Sequence, residues 1–225
     1  MAEHEVTCFG RQSGVSAERL HVHNLTEGPA SLEKILQYDA VFLGGSGQYY
    51  ASKGDLPHFE QYMDLLRELI ERDHPVLGVC YGFHCIARAL GAAVINDAER
   101  TEVGTYDLTL TEPGTHDPLL GQLPKQFRAQ MGHKDQVTEL PEGIVNLCSS
   151  ELSPNQAFRI GETSIWAVQF HPELNRATNR DRFTYYLEGY SGHMTEEERE
   201  ATFSKFEDSH DASRVLGSFL DLVFG

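Results

Sequence analysis

Apolar and polar positions in the first ninety residues predict short buried strands that alternate with one-sided helices. Residues 39–43 and 76–79 form short apolar runs typical of buried strands. After Pro57, apolar residues recur mostly at three- and four-residue spacing, which predicts an amphipathic helix (Phe59, Met63, Leu66, Leu69 and Ile70). A further helix is expected over residues 82–90, with Gly91 ending it. This strand–helix–strand order favours a parallel sheet.

Smaller elements are expected before this unit. Residues 6–9 and 20–22 look like short strands, separated by a loop that contains Gly and Ser. Ser31 is a candidate N-cap for a short helix that continues to Gln37.

Beyond Gly91 the pattern changes to short strands and turns, continuing to Ile165. Residues 106–110 alternate between apolar and polar side chains, and residues 157–161 and 165–170 indicate a hairpin. We interpret this region as a small antiparallel excursion within the same domain. The predicted fold class is therefore α/β, with a mostly parallel central sheet flanked by helices.

The chain turns polar and helical over residues 175–225. Residues 175–190 carry Phe183, Tyr186, Leu187 and Tyr190 at helical spacing, and Thr195 with Glu198 resembles a capping box. A last helix is expected over residues 212–224. We predict one domain over residues 1–225, with this segment as a helical extension that covers the sheet. Docking of a partner protein on its aromatic face is the alternative.

Composition narrows the class of protein. The 225 residues are 40% hydrophobic, and no apolar run approaches the roughly 20 residues of a membrane span. A formal net charge of −16 argues against nucleic acid and anionic membranes as partners. The N-terminus lacks signal-peptide features, and the four cysteines show no paired metal-ligand spacing. We therefore expect a cytoplasmic protein without a metal or cofactor.

The most informative stretch runs from His74 to His84. An apolar strand leads directly into Gly78-x-Cys80-x-Gly82, and a helix follows. This order is typical of a nucleophile elbow, in which small residues flank a nucleophile on a tight strand-to-helix turn. The position at a helix N-terminus favours the thiolate of Cys80 over the thiol. A buried structural cysteine in an ordinary strand-to-helix turn has a similar pattern.

A second stretch supplies the groups that a cysteine nucleophile needs. The apolar strand of residues 165–170 ends in His171, and Glu173 follows after Pro172. A histidine takes and returns the proton of the nucleophile, and a carboxylate holds the histidine in the required tautomer. We therefore predict a triad of Cys80, His171 and Glu173.

These two motifs together resemble the class I glutamine amidotransferase family. Three further segments fit in the family's order: the glycine-rich loop at residues 41–47, the acidic-apolar-Gly segment at 102–104, and the His-x-Asp loop at 133–135. The resemblance covers roughly residues 1–175. It implies a thiolate attack on a γ-glutamyl amide, with a small γ-glutamyl compound as the substrate.

The resemblance and the elbow also suggest roles for other residues. The backbone amides of Gly45 and Tyr81 are the candidate oxyanion hole, Tyr81 being the residue after the nucleophile. Gly44 belongs to the same glycine-rich loop and is a candidate substrate contact. The resemblance places His133 near the substrate.

Two departures from the family pattern leave the function open. The family's elbow usually carries Gln four residues after the nucleophile, where this chain has His84, so His84 is a further candidate substrate contact. No nucleotide-binding Gly-rich loop of a fused synthetase accompanies the elbow. Three functions therefore remain: a stand-alone hydrolase of γ-glutamyl amides or peptides, a glutaminase subunit that feeds a separate synthase, and a catalytically weak regulatory or binding protein.

Overall fold

A seven-stranded mixed sheet forms the centre of the fold. The computed structural model describes residues 1–187 and 194–225. The strands are β1 (Val41–Leu43), β2 (Val76–Val79), β3 (Val94–Asn96), β4 (Glu102–Leu110), β5 (Gln126–His133), β6 (Asp135–Val137), β7 (Ile144–Ser149), β8 (Ala157–Ile160) and β9 (Ile165–Val168). The main sheet has the order β1-β2-β9-β8-β7-β4-β5, and β3 pairs with β6 in a separate antiparallel ribbon.

Helices cover both faces of this sheet. They are α1 (Ala2–Ser13), α2 (Leu32–Ile35), α3 (Phe59–Glu71), α4 (Tyr81–Ala89), α5 (Glu112–His116), α6 (Arg176–Tyr185), α7 (Glu196–Ser204) and α8 (Val215–Phe224). One core cluster joins α3 and α4 to the sheet. A second, separate cluster joins residues of α1 and α8, such as Phe9 and Phe219, to strand residues that the first cluster does not contain. The predicted α/β class with flanking helices is confirmed.

The strand directions explain where a functional site can form. Strand β2 pairs in parallel with β1 on one side and with β9 on the other. The carboxyl ends of these three neighbours therefore meet at one edge of the sheet, which is where open α/β sheets place their ligand sites. The glycine-rich loop follows β1, Cys80 follows β2, and His171 follows β9.

The antiparallel part of the sheet is larger than the sequence suggested. Strands β8, β7, β4 and β5 all pair antiparallel, and β4 and β5 are the longest strands. The 157–161 and 165–170 hairpin is confirmed as β8 and β9. Most of the 92–165 region therefore extends the main sheet itself, while β3 and β6 form the small ribbon.

The two N-terminal strand predictions are wrong. Residues 6–9 lie inside α1, and residues 20–22 form no strand. A four-residue apolar run cannot distinguish a strand from a helix by its period. The deciding signals are local: Glu3 and Glu5 occupy the first turn of α1, and Gly14 ends the helix with a φ of 73°.

The helical predictions match more closely. Ser31 caps α2 through a bond from the Lys34 amide, although this helix ends at Ile35. Thr195 forms the expected capping box with Glu198. Helix α6 ends at Tyr185, and the predicted contribution of Tyr190 lies outside the described residues. Among the described helices, none combines the length and the apolar character that a membrane-spanning segment requires.

Candidate active site

Cys80 lies on a strained turn between β2 and α4. Its φ is 50° and its ψ is −97°, a conformation that L-residues rarely adopt. A Cβ at Gly78 would lie 2.7 Å from a methyl carbon of Ile86. A Cβ at Gly82 would lie 2.5 Å from the carbonyl oxygen of Leu43. The small residues on either side of Cys80 are therefore required by close packing, as an elbow requires.

His171 and Glu173 form a fully buried pair at the same edge of the sheet. The His171 amide donates to the Gln130 carbonyl at 2.9 Å, which fixes the segment after β9. The Nδ1 atom of His171 lies 2.7 Å from Oε1 of Glu173. Because a carboxylate only accepts, Nδ1 carries the proton, and Nε2 is left for a reacting group. Nε2 is buried and has no hydrogen-bond partner among the described residues.

The charges around His171 favour its protonated form. Burial opposes the charge, but Glu173 and the neighbouring Cys80 thiol raise the pKa of His171 to about 9. Burial also opposes ionisation of Glu173, yet His171 and Arg182 hold the pKa of that carboxyl below its usual value. The pair therefore carries a proton on His171 and a charge on Glu173 at neutral pH.

Arg182 of α6 is a cation beside this pair that the sequence analysis missed. Its Nη1 lies 3.5 Å from Oε1 of Glu173 and 3.4 Å from Oε1 of Glu5. Arg182 is one of several arginines in a polar helix, with Arg176 and Arg180 nearby in the chain. No sequence signal distinguishes it from its solvent-facing neighbours.

The glycine-rich loop lies next to His171. A Cβ at Gly45 would lie 2.9 Å from Cε1 of His171 and 2.8 Å from Nη2 of Arg182, whereas a Cβ at Gly44 would meet the Phe9 ring at 3.7 Å. Gly45 therefore borders His171 and Arg182, and Gly44 faces α1. Tyr81 is the first residue of α4, directly after Cys80.

A small cavity beside Cys80 gathers the other candidate residues. Its volume is about 20 Å³, and its lining includes Cys80, Tyr81, His84 and His133. The ring centroids of His84 and His133 are 6.3 Å apart. Nε2 of His84 is buried without a hydrogen-bond partner in the part of the chain that the structure describes. Burial lowers the pKa of His84 to about 4, so this ring is neutral at physiological pH.

His133 has a different environment, because both of its ring nitrogens have partners. Nε2 lies 2.9 Å from Oε2 of Glu102, and Nδ1 lies 3.0 Å from the Asp135 carbonyl oxygen. Glu102 also accepts bonds from Ser150 at 2.8 Å and from Gln156 at 2.5 Å. This network fixes the wall of the cavity and leaves no nitrogen of His133 open to a ligand.

The three other cysteines are also buried, and none lies on a strand-to-helix turn like that of Cys80. Burial raises the pKa values of the Cys8, Cys85 and Cys148 thiols above the ordinary value. Cys85 lies on α4, within the core cluster that joins α3 and α4 to the sheet. Within residues 1–187 and 194–225, no group of three or more His, Cys, Asp or Glu side chains is arranged to hold a metal ion.

The fold and the motifs at this sheet edge define a glutamine amidotransferase class of domain, and comparison with known proteins agrees. The family model described as "Glutamine amidotransferase class-I" matches residues 9–185. The chain therefore belongs to the class I glutamine amidotransferase family.

Several relatives of this chain are proteins named GMP synthase. The GMP synthase of Aquifex aeolicus is 33% identical over 164 residues, or 73% of this chain and 29% of that protein. The GMP synthase of Thermosipho africanus is 30% identical over 212 residues, or 92% of this chain and 37% of that protein. This chain thus spans about a third of the length of these relatives. The crystal structure of a glutamine amidotransferase from Thermotoga maritima shares the fold, with a TM-score of 0.69 at 22% identity, covering 89% of this chain and 84% of that one.

Proposed function

We propose that this chain hydrolyses γ-glutamyl amide bonds by means of Cys80, His171 and Glu173. The observation that carries the proposal is the geometry of His171. Its Nδ1 is held by Glu173 at 2.7 Å, and its buried Nε2 has no partner, beside a cysteine on a strained elbow. A base, an orienting carboxylate and a nucleophile at one sheet edge are the parts that acyl transfer requires.

The reaction follows from these positions. The Cys80 thiolate attacks the amide carbon, and the oxyanion that forms is held by the backbone amides of Gly45 and Tyr81. The His171 imidazolium gives its Nε2 proton to the leaving nitrogen, so ammonia or an amine departs and a thioester remains. Neutral His171 then takes a proton from water, the hydroxide attacks the thioester, and the thiolate and the γ-carboxylic acid product are released, the acid losing its proton to the solvent while His171 stays protonated for the next cycle. Each oxyanion donor is worth about 3 kcal/mol of the barrier.

His84 and the cavity bear on which substrate is used. The neutral His84 ring can present one donor or one acceptor to the substrate, whereas a glutamine side chain offers both. His133 lines the cavity as a fixed part of its wall, and Gly44, whose Cβ direction faces α1, would contact a substrate only through its backbone. The cavity of about 20 Å³ holds no more than one water molecule, so side chains at its mouth have to move when substrate enters.

Delivery of ammonia to a separate synthase is the second candidate function. Its specific support is the relation to proteins named GMP synthase, of which this chain matches about a third. If the chain is a glutaminase subunit, its activity is expected to rise when a synthase binds it.

One assay separates these functions. Ammonia release from glutamine is compared with turnover of γ-glutamyl dipeptides, in the presence and absence of the part of the A. aeolicus GMP synthase that this chain does not match. A hydrolase turns over dipeptides without the added part. A subunit uses glutamine, and its rate rises with the added part. Cys80→Ala is expected to remove activity, with Cys85→Ala as the matched control. Absence of turnover in every arm would leave a binding protein.

A further inference from the structure

Arg182 lies where three elements of the site meet. It belongs to α6, its Nη1 reaches Glu5 of α1 at 3.4 Å, and the same atom reaches Glu173 at 3.5 Å. Its side chain is 8% exposed. A buried guanidinium is costly unless carboxylates compensate it, and here two carboxylates share one nitrogen.

The contact between Arg182 and His171 is a contact between charges. Nη1 lies 3.4 Å from Nδ1 of His171. Nδ1 has no free lone pair, because its proton is donated to Glu173. The guanidinium therefore makes no hydrogen bond to the ring and instead opposes its positive charge. Arg182 and Glu173 thus act on His171 in opposite directions.

The same guanidinium also packs against the glycine-rich loop. A Cβ at Gly45 would lie 2.8 Å from Nη2 of Arg182. One helical turn further on, the ring of Tyr186 approaches Gly47 so closely that a Cβ there would lie 2.4 Å from it. One face of α6 and the residue after it therefore hold two glycines of the loop.

We propose that Arg182 is a positioning residue. Its guanidinium fixes the Gly45 loop relative to the His171–Glu173 pair and opposes the positive charge of the His171 ring. This inference rests on the proposed function for its catalytic meaning. Arg182 does not touch Sγ of Cys80 or Nε2 of His171, the atoms that react in our proposal; its charge acts on the His171 ring, and its contacts position Glu173 and Gly45. A purely structural ion pair between α1 and α6 would instead affect stability and leave the titration of His171 unchanged.

Charged and titratable groups from several elements surround His171. Glu173 lies on its own segment, Cys80 on the elbow and Arg182 on α6, and Glu5 of α1 reaches it through Arg182. Two further titratable side chains, Cys8 and Tyr186, lie in the electrostatic range of Glu173 or Arg182. Arg182 is the cation among these groups, so its removal should raise the pKa of His171.

The test is a pH titration of the His171 ring by NMR in histidine-labelled full-length protein, with the signal assigned by its loss in His171→Gln. Arg182→Met is expected to raise the pKa of His171 by about one unit, since a charge within 4–6 Å shifts a pKa by about 1–3 units and Glu5 already offsets part of it. Glu5→Gln is expected to give a smaller shift of the opposite sign. An unchanged His171 titration in both variants overturns the proposal.

Arg182→Lys separates charge from position. Lysine keeps the positive charge but lacks the planar fork that contacts Gly45 and two carboxylates together. We expect a nearly wild-type His171 titration with turnover reduced about tenfold or more. Full turnover in Arg182→Lys overturns the positioning role.

Two controls keep the result clear. Arg72→Met removes a half-exposed arginine that pairs with Glu68, and it should leave the His171 titration unchanged. If Arg182→Met does not fold, the sign of the shift in Glu5→Gln decides. The titration needs no turnover, so an Arg182 effect in a protein without hydrolytic activity would refute the proposed function while supporting the electrostatic role of Arg182.

Discussion

Two buried histidine–glutamate pairs lie near Cys80, and they differ in what they leave open. His133 and Glu102 are 2.9 Å apart, and every ring nitrogen and carboxylate oxygen of this pair has a partner. His171 and Glu173 are 2.7 Å apart, but Nε2 of His171 and Oε2 of Glu173 have no hydrogen-bond partner among the described residues.

This difference supports our proposal that the first pair serves structure and the second serves chemistry. A saturated pair stabilises the fold, because all of its buried polar atoms are compensated. An unsatisfied buried polar atom costs about 1–3 kcal/mol. The protein tolerates this cost at His171, where an open nitrogen can move a proton, and avoids it at His133.

The largest effect is expected when each of the two histidines is replaced by glutamine. His171→Gln should reduce kcat by roughly 10²–10⁴-fold, because it removes the proposed general base and acid. His133→Gln should instead lower the free energy of unfolding by about 1–3 kcal/mol, since it leaves Glu102 with fewer partners. For both variants, steady-state kinetics give kcat, and urea denaturation gives the free energy of unfolding. Equal losses of kcat in the two variants would contradict the distinction.

The second expected effect concerns the thiol beside the open nitrogen. Among the four cysteines, Cys80 should be alkylated at least about tenfold faster than Cys8, Cys85 or Cys148, whose pKa values are raised by burial. Brief iodoacetamide treatment followed by peptide mass spectrometry measures the rates. The Cys80→Ala protein serves as the control, and its remaining cysteines should stay unlabelled on this timescale. Dominant labelling of another cysteine would refute the assignment.

The pH dependence of activity should reflect His171 and not His84. Because Glu173 and Cys80 raise the pKa of His171 to about 9 against the effect of burial, the imidazolium that protonates the leaving nitrogen is lost only as pH rises through about 9. We therefore expect kcat/KM to fall above pH 9. Burial lowers the pKa of His84 to about 4, so His84 should add no transition between pH 5 and 8. A fall centred near pH 6.5 would contradict the environment described for His171.

The parts of the site that sequence could predict are those with local patterns. Gly78 and Gly82 flank Cys80 at fixed spacing because backbone and side chains approach them closely, and this requirement is visible in the sequence. His171 and Glu173 are likewise only two residues apart, within the segment from Phe170 to Glu173. The structure places these segments at one sheet edge, while the catalytic roles of their side chains remain predictions.

The parts that sequence missed depend on contacts between distant segments. Arg182 and Glu5 meet across α6 and α1, and neither has a local feature that marks it. The apolar run at residues 6–9 suggested a strand, but only Cys8 and Phe9 of that run are buried in α1. Short apolar runs are ambiguous until their packing partners are known.

The smallest expected effect tests the other open nitrogen of the site. Nε2 of His84 is buried without a partner beside the cavity that Cys80 also lines, so His84 is our candidate contact for the substrate's glutamyl group. His84→Gln should improve use of free glutamine relative to γ-glutamyl dipeptides by roughly two- to tenfold, the worth of one hydrogen bond at about 0.5–1.5 kcal/mol. The change should appear in the ratio of kcat/KM values, and the pH profile set by His171 should not move. Matched melting temperatures establish that the variant is folded. An unchanged ratio in a folded His84→Gln protein would make His84 a packing residue of α4.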